Sequence, residues 1–391
     1  MLNRNYSYGR QFIDDEDIAE VVKILQSDWL TQGPLIRQFE DSLCKKFGAK
    51  FTSVVSSGTA ALHLTGLALN WNENDVVLTS PITFAASANC ILYSNAIPDF
   101  VDIDTVSYTI DPNKLEEKIK SYNKKNKKVK AVVAVDYAGH PCDWDALKSI
   151  KDKYDIQLVN DNCHALGAEY KGNLDYAVKY SDVVVQSYHP VKHITTGEGG
   201  AVLTNSKEID EKIKILRTHG ITNDKEMMEK KEGPWYYEMI SLGFNYRITD
   251  FQCALGLNQL KKLDSFLLKR RDIAELYNNY LKECENIILP LNNSNCKHAY
   301  HLYPVQVKFD QIRISKKELF EKMKEQNIRL QVHYIPVHLH PYYRQRFGFK
   351  KSDFPIAEKF YEQEISIPIY PLLEKSDAEF ISQTIIELIN K

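Results

Sequence analysis

Seven short strand-like runs recur along the first half of this chain with helix-patterned segments between them, and that alternation leaves few folds open. The runs cover residues 52–55, 76–78, 97–101, 131–135, 156–159, 183–186 and 201–204, and helical patterns start at Ala60, Ala85, Pro112 and Asp143. Strands separated by helices pair in parallel after a crossover, and a parallel sheet needs cover on both faces. The reading is an α/β domain built on a mostly parallel seven-stranded sheet.

Ahead of the sheet, 14–25 and 35–47 read as amphipathic helices, the first with Ile18, Val21, Val22 and Leu25 as its apolar set. After it, Thr249 and Asp250 cap a helix through Leu263, and a second long helix follows from about Asp264 to Cys284. The clearest turn-rich break is 290–296. Beyond it the pattern predicts a strand at 303–307, a helix at 316–326, a strand at 330–334 and a terminal helix at 374–389. The expected division is a large domain, 1–263, whose N-terminal arm lies on the substrate side, and a small α+β domain, 264–391. A chain of 391 residues suits two such units.

Lysine and arginine number 50 against 52 acidic residues, a net charge of −2, so nothing argues for nucleic acid or a membrane surface as partner. The basic run at 124–130 reads as a solvated loop. The cysteines (Cys44, Cys90, Cys142, Cys163, Cys253, Cys284, Cys296) form no C-x-x-C pair, which suggests neither a disulfide framework nor a zinc site. His338 and His340 lack a third ligand at suitable spacing and read as a packed or substrate-side loop, so no metal is expected. The opening residues carry no apolar signal core, and no apolar run reaches spanning length; the expected setting is cytoplasmic.

Three segments carry chemistry. Between the runs at 183–185 and 201–203, Lys192 sits on a short loop with Ser187 five residues before it and Gly197, Gly199 and Gly200 after it. A rigid base, an anion anchor and open space would aim one amine at a bound aldehyde; the plain alternative is a solvated lysine. Ser57, Gly58, Thr59 and Ala60 open a helix after a strand, offering free N–H groups and the positive end of the dipole to an anion, or simply an N-cap. Asp161 ends a strand, as a functional carboxylate or as a cap. A phosphate site, a strand-end carboxylate and a loop lysine, in that order, are the parts of a pyridoxal-phosphate enzyme.

With these residues in view, the chain closely resembles the sugar-nucleotide aminotransferases, a fold-type-I pyridoxal-phosphate family. The resemblance runs nearly end to end, through Tyr8, 29–34, 80–89, 136–142, the lysine loop, 243–247, 254–260 and 331–336. Within the family it is most similar to the pseudaminic-acid branch, which aminates C4 of a UDP-linked 4-keto-6-deoxy sugar. The resemblance implies that Lys192 bonds the cofactor and shuttles protons, and that Asp161 pairs with the pyridinium nitrogen. His164 lies near the phenolate oxygen or is a structural histidine. Phe84 stacks on the ring or packs in the core. Ser187 and the turn at Ser57–Ala60 hold the phosphate. Asn245 reaches a neighbouring subunit's phosphate site, which implies a homodimer with shared active sites. Arg247 carries charge for the substrate or braces its loop. Tyr8, Asp28, Trp29, Leu30, Thr31, Gln331, Val332, His333 and Tyr334 face the nucleotide sugar.

The implied reaction takes an amino group from L-glutamate, leaving 2-oxoglutarate, to UDP-2-acetamido-2,6-dideoxy-β-L-arabino-hex-4-ulose. The product is UDP-4-amino-4,6-dideoxy-N-acetyl-β-L-altrosamine. Other nucleotide-linked ketosugars are the nearest alternative, and a non-catalytic protein on the same fold is a remote one. Sugar dehydratases on this scaffold replace the lysine with histidine, and Lys192 argues against that class.

Overall fold

The computed structural model describes residues 4–291 and 293–390. Asn292, inside the expected break, lies outside them. The central sheet has seven strands, in the order Phe51–Val55, Gly200–Thr204, Val183–Ser187, Gln157–Asp161, Val129–Val135, Val76–Thr79 and Ile97–Phe100. Gly200–Thr204 runs antiparallel to both neighbours, and every other pair is parallel. The strand alternation sorts side chains to two faces. Val132 and Ala134 join one buried cluster, while Ala131 and Val133 join the other, under helix Gly58–Ala68. Parallel strands end at one edge, so Val55, Thr79, Val135, Asp161 and Ser187 all deliver the chain there.

One correction concerns the helix after the sheet. Asp250–Leu281 is a single helix of 32 residues, where two were expected. No glycine or proline interrupts 263–264, and Thr249 with Gln252 forms a capping box at its start. Leu260, Leu263, Phe266 and Leu267 pack into the sheet's core, and Ile273, Ala274, Tyr277 and Leu281 pack into a second core. That second core covers a three-stranded sheet of Ile287–Ile288, Tyr303–Val307 and Glu364–Ile367. We propose 1–263 and 264–391 as the two units, with this helix as their shared spine.

A second correction is the strand expected at 330–334. Gln331 makes an isolated bridge to Ser366, and the chain then leaves the ladder. Its apolar alternation was real, but Val332 to Tyr334 turn toward the large domain instead of pairing. The helix Asp15–Leu25 also packs differently from its pattern. Its buried contact is polar, with Asp17 accepting from Asn258 at 2.9 Å and Gln259 at 2.7 Å. Ile18, Val22 and Leu25 stay exposed.

Candidate active site

At the carboxyl edge of the sheet, the segments after four strands and the 331–335 segment enclose a crevice of about 880 Å³. Thirteen of the expected site residues line it: Tyr8, Ser57, Gly58, Thr59, Phe84, Asp161, His164, Ser187, Lys192, Gln331, Val332, His333 and Tyr334.

The lysine loop is held by its own backbone. Tyr188 N–H donates to Gly199 O at 2.9 Å, Thr196 N–H to Tyr188 O at 3.0 Å, and Lys192 N–H to His189 O at 2.9 Å. Lys192 Nζ stands 3.4 Å from His301 Nε2. Burial pulls the Lys192 ammonium below its ordinary value; Cys163 and Asp161 oppose that and Arg270 adds to it. A lysine so placed gives up its proton more readily, which suits a base or nucleophile.

Asp161, 4% exposed, accepts from Ser87 Oγ at 2.6 Å on one oxygen and from Cys163 N–H at 3.2 Å on the other. No helix follows for it to cap. A carboxylate accepts about four hydrogen bonds, so this one retains capacity on the crevice side.

At the anion turn, Ser57 Oγ does cap its helix, accepting from Ala60 N–H at 3.0 Å. The amides of Gly58 and Thr59 are in the first turn, where no helical acceptor exists. The cradle is tight: a Cβ on Gly58 would come within 2.9 Å of Ser187 Cβ, and one on Gly200 within 2.7 Å of Gly58 N. Two free amides, two serine hydroxyls and a helix dipole fit a phosphate.

Hydrogen bonding also fixes His164. Its Nδ1 accepts from Ala138 N–H at 3.3 Å, so its proton is on Nε2, which donates to the Tyr334 hydroxyl at 3.0 Å. Burial and then Lys192 hold the ring well below its usual pKa, hence neutral. Tyr334, already an acceptor there, has its own proton free to donate into the crevice. Phe84 stands at the mouth, 59% exposed, its ring 6.1 Å from that of Tyr334.

Seven expected residues do not line this crevice. Ala60 is buried in the helix behind the cradle. Asp28, Trp29, Leu30 and Thr31 are exposed, and Thr31 bridges Thr249. Asn245 is exposed beside Thr218, and Arg247 is half-buried.

The structure adds residues that the sequence reading did not single out. Ser87 orients Asp161 from 74 positions away, and His301 reaches Lys192 from 109 away. Arg270 is fully buried, and its Nη1 donates to the carbonyls of Tyr300, His301 and Ile369. It thereby ties down the turn that presents His301. Ser87 had a local signal, one helical turn past Thr83 in a segment already marked; His301 and Arg270 had none.

The family model for DegT/DnrJ/EryC1/StrS aminotransferases matches residues 11–386. The chain belongs to that family. An uncharacterised protein of Methanocaldococcus jannaschii is 43% identical over 98% of this chain and 97% of its own length. The UDP-4-amino-4,6-dideoxy-N-acetyl-beta-L-altrosamine transaminase of Campylobacter jejuni is 38% identical over 98% of each chain. Among solved structures, Helicobacter pylori PseC, an aminotransferase involved in the biosynthesis of pseudoaminic acid, superposes with a TM-score of 0.88 at 34% identity, over 99% of this chain and 100% of the other. The chain is therefore a sugar aminotransferase, and its cofactor is pyridoxal phosphate. Among the described residues, no helix is long and apolar enough to cross a membrane.

Proposed function

We propose that this aminotransferase moves the amino group of L-glutamate to C4 of UDP-2-acetamido-2,6-dideoxy-β-L-arabino-hex-4-ulose, giving the 4-amino sugar of a pseudaminic-acid route. The observation that carries the reading is one crevice with two kinds of wall. Lys192, Asp161 and the phosphate cradle form one side; Tyr8, Gln331, Val332, His333 and Tyr334 form the other. The second wall is aromatic and neutral, as a uracil ring and sugar hydroxyls require. Likeness to the Campylobacter transaminase supports the choice of sugar.

Bound pyridoxal phosphate supplies an electron sink and a carbon that accepts and releases nitrogen. In this reading Ser57, Gly58, Thr59 and Ser187 would hold its phosphate, with Ala60 N–H spent on the Ser57 cap behind them; Phe84 would cover the ring and His164 would face the phenolate oxygen. Asp161 keeps the proton on the ring nitrogen. Lys192 would bond the cofactor's aldehyde carbon and, when free, would be the base that moves a proton between that carbon and the nitrogen-bearing carbon of the substrate in each half-reaction.

The same reading makes the enzyme a homodimer. Ile18, Val22 and Leu25, spaced along one face of helix Asp15–Leu25, and Trp29 and Leu30 just after it are all exposed apolar side chains. Asn245, Arg247 and Asp28–Thr31 are joined by the Thr31–Thr249 bridge and lie outside their own crevice, free to complete a partner's. Mixed dimers of Asn245→Ala and Lys192→Ala subunits should then recover activity, since one of two sites keeps both residues. Mixed dimers no better than either parent would refute sharing.

The acceptor is tested by kcat/KM for this ketosugar against its D-xylo C5 epimer. The two sugars differ in the side of the ring that carries the C5 methyl, and a pocket shaped for one places the other's methyl wrongly, a discrimination of roughly 10- to 200-fold. Equal or better use of the epimer would move the enzyme to a neighbouring branch.

A further inference from the structure

Glu364 and Ser366 are both fully buried, on one face of the strand Glu364–Ile367 behind the sugar-side wall of the crevice. Neither lines the crevice. His333, which does, is tied to them at several points. Its N–H donates to Glu364 Oε2 at 3.0 Å, and its Nδ1 lies 2.9 Å from Ser366 Oγ. Ser366 Oγ lies 2.6 Å from Glu364 Oε1. The Tyr137 hydroxyl donates to the His333 carbonyl. The ring therefore has one nitrogen, Nε2, left for the crevice, beside the Tyr8 ring at 5.0 Å.

A serine hydroxyl has a single proton, so this chain runs one way or the other. With Glu364 ionised, Ser366 donates to the carboxylate and must accept from His333; the imidazole proton is on Nδ1, and Nε2 is a bare acceptor. With Glu364 protonated, the proton sits on Oε1, because Oε2 already faces the His333 N–H. Ser366 then accepts from Glu364 and donates to Nδ1, which leaves the proton on Nε2 as a donor. We propose that Glu364 is a positioning residue for sugar recognition: through Ser366 its charge state sets whether His333 offers the crevice an acceptor or a donor. The inference rests on the reading of His333 as a sugar-side residue.

The groups facing Glu364 are Lys316 from helix Lys316–Glu325, the Tyr137 and Tyr334 hydroxyls, and His333. Burial raises the Glu364 carboxyl above the usual carboxylate range, against the pull of Ser366, Lys316 and the His333 amide. His333 itself is pushed down to about 3 by burial and by Lys192, so it stays neutral and holds a single proton. The change of polarity thus falls at higher pH than an ordinary carboxylate titrates.

Glu364→Gln tests this without changing shape. Its carbonyl must keep the His333 N–H, so its amide NH₂ faces Ser366 and locks the chain in the protonated-Glu364 polarity. In [¹⁵N]histidine-labelled holoenzyme, the His333 tautomer should change with pH in the native protein and stay Nε2–H in the variant. The ketosugar KM should follow the same transition in the native enzyme, by about tenfold or more, and be flat in Glu364→Gln. The glutamate half-reaction should not move, and adding Glu364→Gln to Ser366→Ala should change nothing further. A His333 tautomer identical in both proteins at every pH overturns the proposal. So does a tautomer that follows Glu364 while sugar KM does not, or full additivity of the two substitutions. If another ketosugar proves to be the substrate, the acceptor assignment fails, and the relay is judged on the tautomer and on that sugar's KM.

Discussion

Asp136 and Asp161 stand on neighbouring strand ends, close enough that Asp136 N–H donates to Asp161 O at 3.2 Å, yet they are used in opposite ways. Asp136 is fully buried and saturated. Cys142 N–H and Trp144 Nε1 donate to one oxygen, and Asn160, Asn162 and the Tyr176 hydroxyl donate to the other. Asp161 has one donor on each oxygen and faces the crevice. A carboxylate whose lone pairs are filled by the protein holds structure together. One left with capacity beside a cavity is available to a ligand's N–H. The contrast separates a saturated acid from one with open capacity where exposure, under 5% for both, does not.

The largest expected effect is at Lys192. Lys192→Ala should take turnover below detection while the protein still binds cofactor non-covalently, read by steady-state assay and by dialysis. Residual turnover within tenfold of native would end the assignment.

Asp161→Ala should slow both half-reactions by on the order of 10²-fold or more while the melting temperature moves little. Stopped-flow rates near native in either direction would place Asp161 with Asp136 on the structural side.

Asp136→Asn should invert that outcome. An amide group in place of one oxygen turns at least two buried donors against another donor, a loss of roughly 2–4 kcal/mol in denaturant unfolding, with kcat little changed. The pH dependence gives a second check. Burial pushes Asp136 up to about 6 from its ordinary 3.8, against the pull of its donors. A raised folded value favours the fold fully below 3.8, and that contribution is lost as pH rises past about 6. The native protein should therefore lose stability across that window more steeply than the variant, which does not titrate there. Equal slopes would contradict the shift.

The smallest effect is at Ser87. Ser87→Ala removes the 2.6 Å bond that orients Asp161, and should lower kcat a few-fold, about 1 kcal/mol, with KM for both substrates unchanged. A change in KM alone would assign Ser87 to substrate binding.

The same contrast explains how much the sequence could tell. Strand runs, the glycine-led anion turn and the lysine loop are local patterns; the runs placed the seven strands within two residues of their observed ends, and the turn and the loop both open on the crevice. Asp161 was legible as a strand-end carboxylate, but so was Asp136, and what divides them lies in distant partners. Asn160, Asn162 and Tyr176 help saturate one, and Ser87 reaches the other from a separate helix. Glu364 and Ser366 escaped for the same reason, since their partner His333 is 31 and 33 positions away. The long helix was divided at Asp264, a polar residue that the structure uses to pair with Lys46 at 2.7 Å on the solvent side. The helices Pro341–Phe347 and Pro355–Gln363 were missed although each opens with proline at its first position, a readable start signal.

The most direct test is chemical. Borohydride reduction of the cofactor-loaded protein, followed by peptide mapping, should fix the pyridoxyl group on Lys192 in native enzyme and in Asp136→Asn alike. A label on any other lysine would contradict the site.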